Sequence, residues 1–386
     1  MARAPESRSR FTRRLARLWE GLHPTPRFRR QVLRGLLVAG IFVAFVAILT
    51  SLYGTVILRY VLAGFVTSSF VIVAAIGLTV LYGIRGFANF AYGDIMTLGA
   101  YIALLVSLGG ISIVWGALVA FVVVGLVGVL LEVVIFSRLE GRGPVPPIVA
   151  SVGLALIIQN AIRVIATTRP YLYPYPRVQD IPIAPGVGIG PYSQIATLGV
   201  GLLFMISAHV LLKYTNLGKA MRATADNLEL AKATGIDTKR VTYAAWVVSC
   251  SFASTAGVLI GVSAVVSPTL GFDSLLLIFA AVIVGGIGSP YGAMLGGLLV
   301  GLSQEMSVPV LLWLGSSGIL QLEHPDAIKA AVPFMILIVV LILRPWGIAG
   351  RRPTFARRAF FIERLSRVLG ERGPIANPPT GDQGEG

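Results

Sequence analysis

Apolar residues in this chain come in long unbroken runs, separated by short polar or glycine-rich connections. The runs fall at about 36–58, 61–82, 94–109, 111–136, 147–168, 192–213, 241–266, 275–288, 291–304 and 327–344. Roughly 20 apolar residues are needed to cross a bilayer core, so each run predicts a membrane helix. The first, Leu36 to Leu58, has 23 residues and no charge. A secretory h-region has only about 7–15, so this helix is expected to be retained. Three runs are short: 94–109, 275–288 and 291–304 offer 14–16 residues each. They adjoin two glycine-rich interruptions, "YGIRGFANFAYGD" and "GGIGSPYGAMLGG". Gly83, Gly86, Gly93, Gly285, Gly286, Gly288 and Gly292 are therefore expected to break helices inside the membrane. Backbone freed in this way must face protein or a water-filled path.

Composition agrees. Hydrophobic residues make up 55% of the chain and charged ones 13%, whereas a soluble domain carries about 25%. Mean hydropathy is +0.82. The expected fold class is an all-α polytopic membrane protein with about ten transmembrane or half-spanning helices. Forty-four glycines suit close helix approach. Cys250 is the single cysteine, which excludes an internal disulfide. His23, His209 and His324 lie far apart without metal-ligand spacing, so no metal site is expected.

Charge orients the bundle. Ten arginines precede Gly35 and eight lie from Arg344 onward; Arg138 and Arg142 fall in 137–146. Lys213, Lys219, Arg222, Lys232, Lys239 and Arg240 fall in 213–240. Ten crossings put all of these, and both termini, in the cytoplasm; the reverse orientation would place 26 of 32 basic residues outside. The organisation is then a basic N-terminal extension (1–35), a transmembrane domain (36–345) and a basic, partly disordered tail (346–386). Phe11, Leu15, Leu18, Trp19 and Leu22 recur at helical spacing, which fits a helix on the membrane surface or a disordered basic arm. The positive ends point to anionic lipid and not to nucleic acid. Outward-facing 169–192, rich in Pro and Tyr, reads as a docking surface or an ordered interfacial loop.

Two stretches carry candidate chemistry. In "GFANFAYGD", 86–94, Asn89, Tyr92 and Asp94 stand among very apolar neighbours. Asp94 precedes "IMTLGAYIALL" and is expected to cap that helix. All three residues are candidates to line a polar translocation path. In 213–240, "RATADNLELAKATG" is expected to form one helix ending at Gly235, with Ala225, Leu228 and Ala231 as a narrow stripe for a partner's groove. No phosphate-loop motif and no catalytic constellation is visible.

"GLTVLYGIRGFANFAYGDIMTLGAY", 77–101, resembles a signature of the branched-chain amino acid permeases of bacterial ABC importers, in the first of their two permease types. Tyr92 stands where that family commonly has His, within a segment of form Asn-Phe-Ala-His-Gly-acidic. "LGKAMRATADNLELAKATGIDTKRV", 217–241, and "VIVGGIGSPYGAMLGGLLVG", 282–301, resemble two further family segments, so the likeness runs from about 60 to 345. Glu229, Ala231 and Gly235 match the spacing of the Glu-Ala-Ala-x-x-x-Gly core by which such permeases contact their ATPases. Leu230 replaces the middle alanine, and the downstream Ile-x-Leu-Pro element is missing.

The resemblance implies a permease of the bacterial inner membrane for branched-chain amino acids, or for amides or urea. Its implied partners are a second permease, two cytoplasmic ATPases and an extracytoplasmic solute-binding protein. ATP would be used by those partners, with no cofactor bound here. Arg222, Asp226, Glu229, Ala231 and Gly235 become the expected ATPase-coupling residues. An ion- or proton-coupled carrier working alone is the competing class, to which the broken helices and Asp94 are also suited. Against it, acidic residues within the runs are few, with Asp273 read as a loop residue, Glu132 near a cytoplasmic end and Glu305 near an outer one. A membrane enzyme is a third class, without a visible active site.

Overall fold

A computed structural model describes residues 56–175, 180–184, 187–190, 194–316 and 331–350, with a few single positions at 47–54 and 328–329. Most of the 36–58 run, the 1–35 extension, the tail beyond 350 and parts of 169–192 lie outside the described residues. The chain divides into two compact units, Met1–Tyr60 with Pro182–Gly188, and Val61–Ile181 with Ile189–Gly386. A two-stranded ribbon, β1 (Ile181–Ala184) and β2 (Val187–Ile189), corrects the all-α expectation. Its isoleucines and valine favour extended backbone over helix.

The other nine runs each fall on a helix. They are α1 (Val56–Arg85), α2 (Tyr92–Leu108), α3 (Ile113–Val134), α4 (Val145–Ala166), α5 (Ala196–Tyr214), α8 (Thr238–Ser263), α9 (Leu270–Gly285), α10 (Pro290–Ser316) and α11 (Ala331–Leu343). Among the described residues, six helices are long and apolar enough to cross a membrane, while α2, α9 and α11 are shorter. The 291–304 run is not short: α10 has 27 residues and continues through Pro309. The helix passes the polar Gln304 and Glu305, and neighbouring helices can absorb the hydrogen bond that Pro309 removes within a membrane.

The second unit is organised around α8, α2 and the inner half of α1. Trp246, Cys250, Tyr92, Met96, Ile76 and Leu81 are fully buried there. Small residues set the helix spacing. A β-carbon on Gly257 would strike the Met96 carbonyl, and one on Gly128 would meet the Cys250 sulfur at 2.6 Å. In contrast, α3, α4 and α5 turn rows of Leu, Val and Ile outward, as a lipid- or subunit-facing surface does.

The connections group by end. Arg85 closes α1, Glu132 lies in the last turn of α3, and a 3-10 turn (Phe136–Leu139) and Glu140 follow it. The Arg85 guanidinium lies 3.2 Å from each carboxylate and donates to the Phe136 carbonyl at 2.8 Å. Leu228 joins Arg85 in lining two cavities there. Elsewhere Tyr171 and Val266 exchange backbone hydrogen bonds at 2.8 Å, pinning the α4–α5 connection to the α8–α9 connection.

Candidate functional site

α2 starts deep inside the bundle. The phenol of Tyr92, its first residue, donates to the Ala74 carbonyl at 2.8 Å. Ala74 stands eleven residues before Arg85 on α1, about 16 Å along the axis at 1.5 Å per residue. The 86–91 segment therefore climbs from the end of α1 to its middle without helical structure. Gly86 permits the reversal with φ +71°. The freed backbone is satisfied by protein: the Ser151 hydroxyl accepts from Phe90 N–H at 3.0 Å, and Asn89 Oδ1 accepts from Ala91 N–H at 3.1 Å. This is the broken helix expected at the first glycine-rich interruption.

The two interruptions meet through α9. Gly93 and Gly271 touch so closely that a β-carbon on Gly93 would lie 2.5 Å from the Gly271 carbonyl, and one on Gly271 would strike the Gly93 carbonyl. At the other end of α9, Gly285 and Gly292 stand in the same mutual contact. Gly286 and Gly288 take φ +112° and +79° between α9 and α10. Residues 348 and 349 return to bond the carbonyls of Val284 and Gly285 at 2.9 Å. Gly83 differs from its expected role: it lies within α1, where a β-carbon would sit 3.7 Å from that of Ala225.

Asn89, Tyr92 and Asp94 are all buried, but in different surroundings. Tyr92 is a core residue tied to α1. Asp94 is not the cap of α2, whose N-cap is Ala91; it is the third helical residue. The 86–91 segment takes the entry to the helix, so the carboxylate is displaced by one turn from the capping position. Its Oδ1 is buried without a hydrogen-bond partner. Asp94 lines a cavity of about 330 Å³ between the first turns of α2 and α9 and the second half of α4, which Asn89 and Tyr92 do not. Gln159, Arg163, Thr269 and Asp273 also line it. Asp273 belongs to the first turn of α9 and not to a loop. Arg163 was legible as a lone cation inside the 147–168 run, where an ionisable residue marks a polar surface.

The 213–240 segment is not one helix. It forms α6 (Asn216–Asp226) and α7 (Leu228–Ala233), broken at Asn227, whose extended backbone lets its side chain cap the Leu230 N–H at 3.0 Å. The inward stripe is Gly218, Met221 and Thr224, while Ala225 is exposed, so the expected stripe is displaced. Gly235 ends α7 as expected. It has φ +82°, with Gly235 N–H bonded to the Lys232 carbonyl and Ile236 N–H to the Ala231 carbonyl, a Schellman closure. Arg222, Asp226, Glu229 and Gly235 are exposed; Ala231 is turned inward and buried. Leu230, 61% exposed on this short helix, is the outward apolar residue.

Residues 60–341 match the family model described as branched-chain amino acid transport system, permease component. The high-affinity branched-chain amino acid transport system permease protein BraD of Pseudomonas aeruginosa is 32% identical over 308 residues, covering 76% of this chain and 96% of that one. LivH of Escherichia coli, described in the same words, is 30% identical over 72% of this chain and 90% of its own length. The probable branched-chain amino acid transport permease protein LivH of Methanocaldococcus jannaschii is 27% identical over 73% and 89%. A solved structure, PsaBC from Streptococcus pneumoniae in complex with Fab, aligns with TM-score 0.39 at 15% identity, over 73% of this chain and 91% of that one.

Proposed function

The chain belongs to the permease components of branched-chain amino acid transport systems, and we infer that it is a transmembrane permease subunit of an ATP-driven importer in the bacterial inner membrane. It moves branched-chain amino acids or related small polar solutes. The observation that carries this reading is the family match across 60–341, joined to an exposed helix pair in the 213–240 segment.

The chain is a transport subunit without its own ATPase site. Its partners are a second permease, two cytoplasmic ATPases that hydrolyse ATP, and an extracytoplasmic solute-binding protein. α6 and α7 dock on an ATPase through Arg222, Asp226, Glu229 and Leu230, while Ala231 and Gly235 set the shape of the turn. The route inward is short: Gly83 neighbours Ala225, and Leu228 shares two cavities with Arg85. Movement of the helix pair is thereby passed to the end of α1 and to α3. Nucleotide binding closes the ATPase pair and biases an inward–outward equilibrium of the spans.

Orientation follows from charge. Arg85 and Lys239 line a cavity with Leu228 of α7 and with Glu140, from the connection that also carries Arg138 and Arg142, and this end is cytoplasmic, with both termini; 169–175 and Val266 face outward. The test is reconstitution of the complete importer in vesicles. Co-purification of an ATPase with this chain, and uptake of leucine that requires ATP, are expected. Uptake by this chain alone, driven by an ion gradient, would replace the reading with a lone carrier.

A further inference from the structure

The cavity beside Asp94 has a charge pattern that packing does not explain. An aspartate inside an apolar bundle is costly unless paired, yet Asp94 is 1% exposed and its Oδ1 has no hydrogen-bond partner. Arg163 lines the same cavity, but the ion pairs among the described residues include none between the two. Opposite charges thus stand apart across an open volume. Asp273 adds a second carboxylate at the first turn of α9, and Arg163 donates to the Asn160 side chain, three residues earlier on its own helix, at 3.4 Å. Asp94 and Asp273 each lie in the first turn of a helix, α2 and α9, and such ends help to keep a carboxylate charged. Gln159 and Thr269 add neutral polar groups, and the remaining wall is apolar, with Phe90, Leu156 and Phe272 prominent.

We propose that this cavity is a station on the transport path that holds a zwitterionic amino acid with an apolar side chain. The solute's ammonium faces Asp94 and Asp273. Its carboxylate faces Arg163, and its side chain lies against Phe90, Leu156 and Phe272. A volume of about 330 Å³ is within the usual range of small-molecule sites, roughly 300–1,000 Å³. Phe272 and Asp273 are exposed on this chain, and a charge there is poorly placed against lipid. The open side of the cavity therefore faces water or the second permease. The proposal rests on the reading of the chain as an amino acid permease.

The experiment uses the complete importer in vesicles, with labelled leucine and labelled urea as probes. Arg163→Gln and Asp94→Asn should each lower leucine uptake by roughly tenfold or more, the loss of a charged hydrogen bond, with ATPase co-purification unchanged. Val164→Ala, an outward-facing neighbour, should transport normally. A second readout needs no turnover. Phe272→Cys should be alkylated readily, and leucine should slow the reaction more than isopentylamine or isocaproate, which each lack one charged end. Arg163→Gln should abolish that protection. Wild-type leucine uptake in both charge variants, or equal protection by all three compounds, overturns the site and leaves the importer reading intact. Uptake of urea but not leucine by the unaltered complex overturns the amino acid reading and the site together.

Discussion

The hydroxyl of Tyr92 and the carbonyl of Ala74, 2.8 Å apart, join the first residue of α2 to the middle of α1. This contact fixes the depth at which the broken helix begins, and with it the height of Asp94. Tyr92→Phe removes the hydrogen bond and should cost about 0.5–1.5 kcal/mol. Tyr92→Ala leaves a cavity in a fully buried position and should cost about 3–5 kcal/mol. Thermal unfolding of the detergent-solubilised protein should rank them in that order; equal midpoints would show that the contact does not hold the helix.

The Arg85 ion pairs give an asymmetric prediction. Arg85→Met leaves Glu132, which is buried, with an uncompensated charge, at a cost of about 3–5 kcal/mol. Glu132→Gln should be milder, because Arg85 keeps Glu140 and the Phe136 carbonyl. Membrane-inserted yield and unfolding midpoint should both fall further for the arginine variant. The reverse order would mean that Glu132 is not held charged by Arg85.

Helix crossings by glycine can be tested by adding one carbon. Gly271→Ala must push α9 away from the Gly93 carbonyl, an overpacking cost of about 1–3 kcal/mol, and should lower both stability and uptake. Gly199→Ala, where nothing lies within 4 Å of the added carbon, should be tolerated. Similar unfolding midpoints for the two would remove the crossing as a constraint.

Coupling rests on the turn after α7. A side chain at Gly235 finds space but not a favourable backbone, since φ +82° costs L-residues roughly 1–2 kcal/mol. Gly235→Val should therefore redirect α7 while the spans insert normally. Glu229→Lys reverses an exposed charge, and Leu230→Asp removes the outward apolar side chain. All three should lose ATP-driven uptake, with an ATPase bound weakly or hydrolysing without transport. Unchanged ATPase co-purification and uptake in all three would end the coupling role of α6 and α7.

Sidedness is checked by single cysteines at Ala225 and Arg169, with buried Cys250 left in place. An impermeant thiol reagent should reach the first only from the cytoplasm and the second only from outside. Labelling of both from one side contradicts the charge argument.

Much of the architecture was legible because a lipid solvent makes length and charge informative. An apolar run must be a helix to satisfy its own backbone, so nine described runs all emerged as helices. Gly235 was legible as a helix end because only a residue without a β-carbon takes that conformation cheaply. The 213–240 pattern misled where two local signals competed: helical composition argued for continuity, and Asn227 capping, worth about 1 kcal/mol, won.

What the sequence by itself determined is therefore the class: a polytopic, mostly helical permease. Only the tertiary structure decided which polar residues share a space. Asn89, Tyr92 and Asp94 are near neighbours in the chain, yet one bonds a turn, one bonds the backbone of α1, and one faces a cavity. Arg163 and Asp273 reach that cavity from helices 69 and 179 positions further along the sequence. The physical reason is that hydropathy is a property of each segment, read one at a time. Side-chain juxtaposition is set instead by helix crossings such as Gly93 with Gly271, whose partners no local pattern announces.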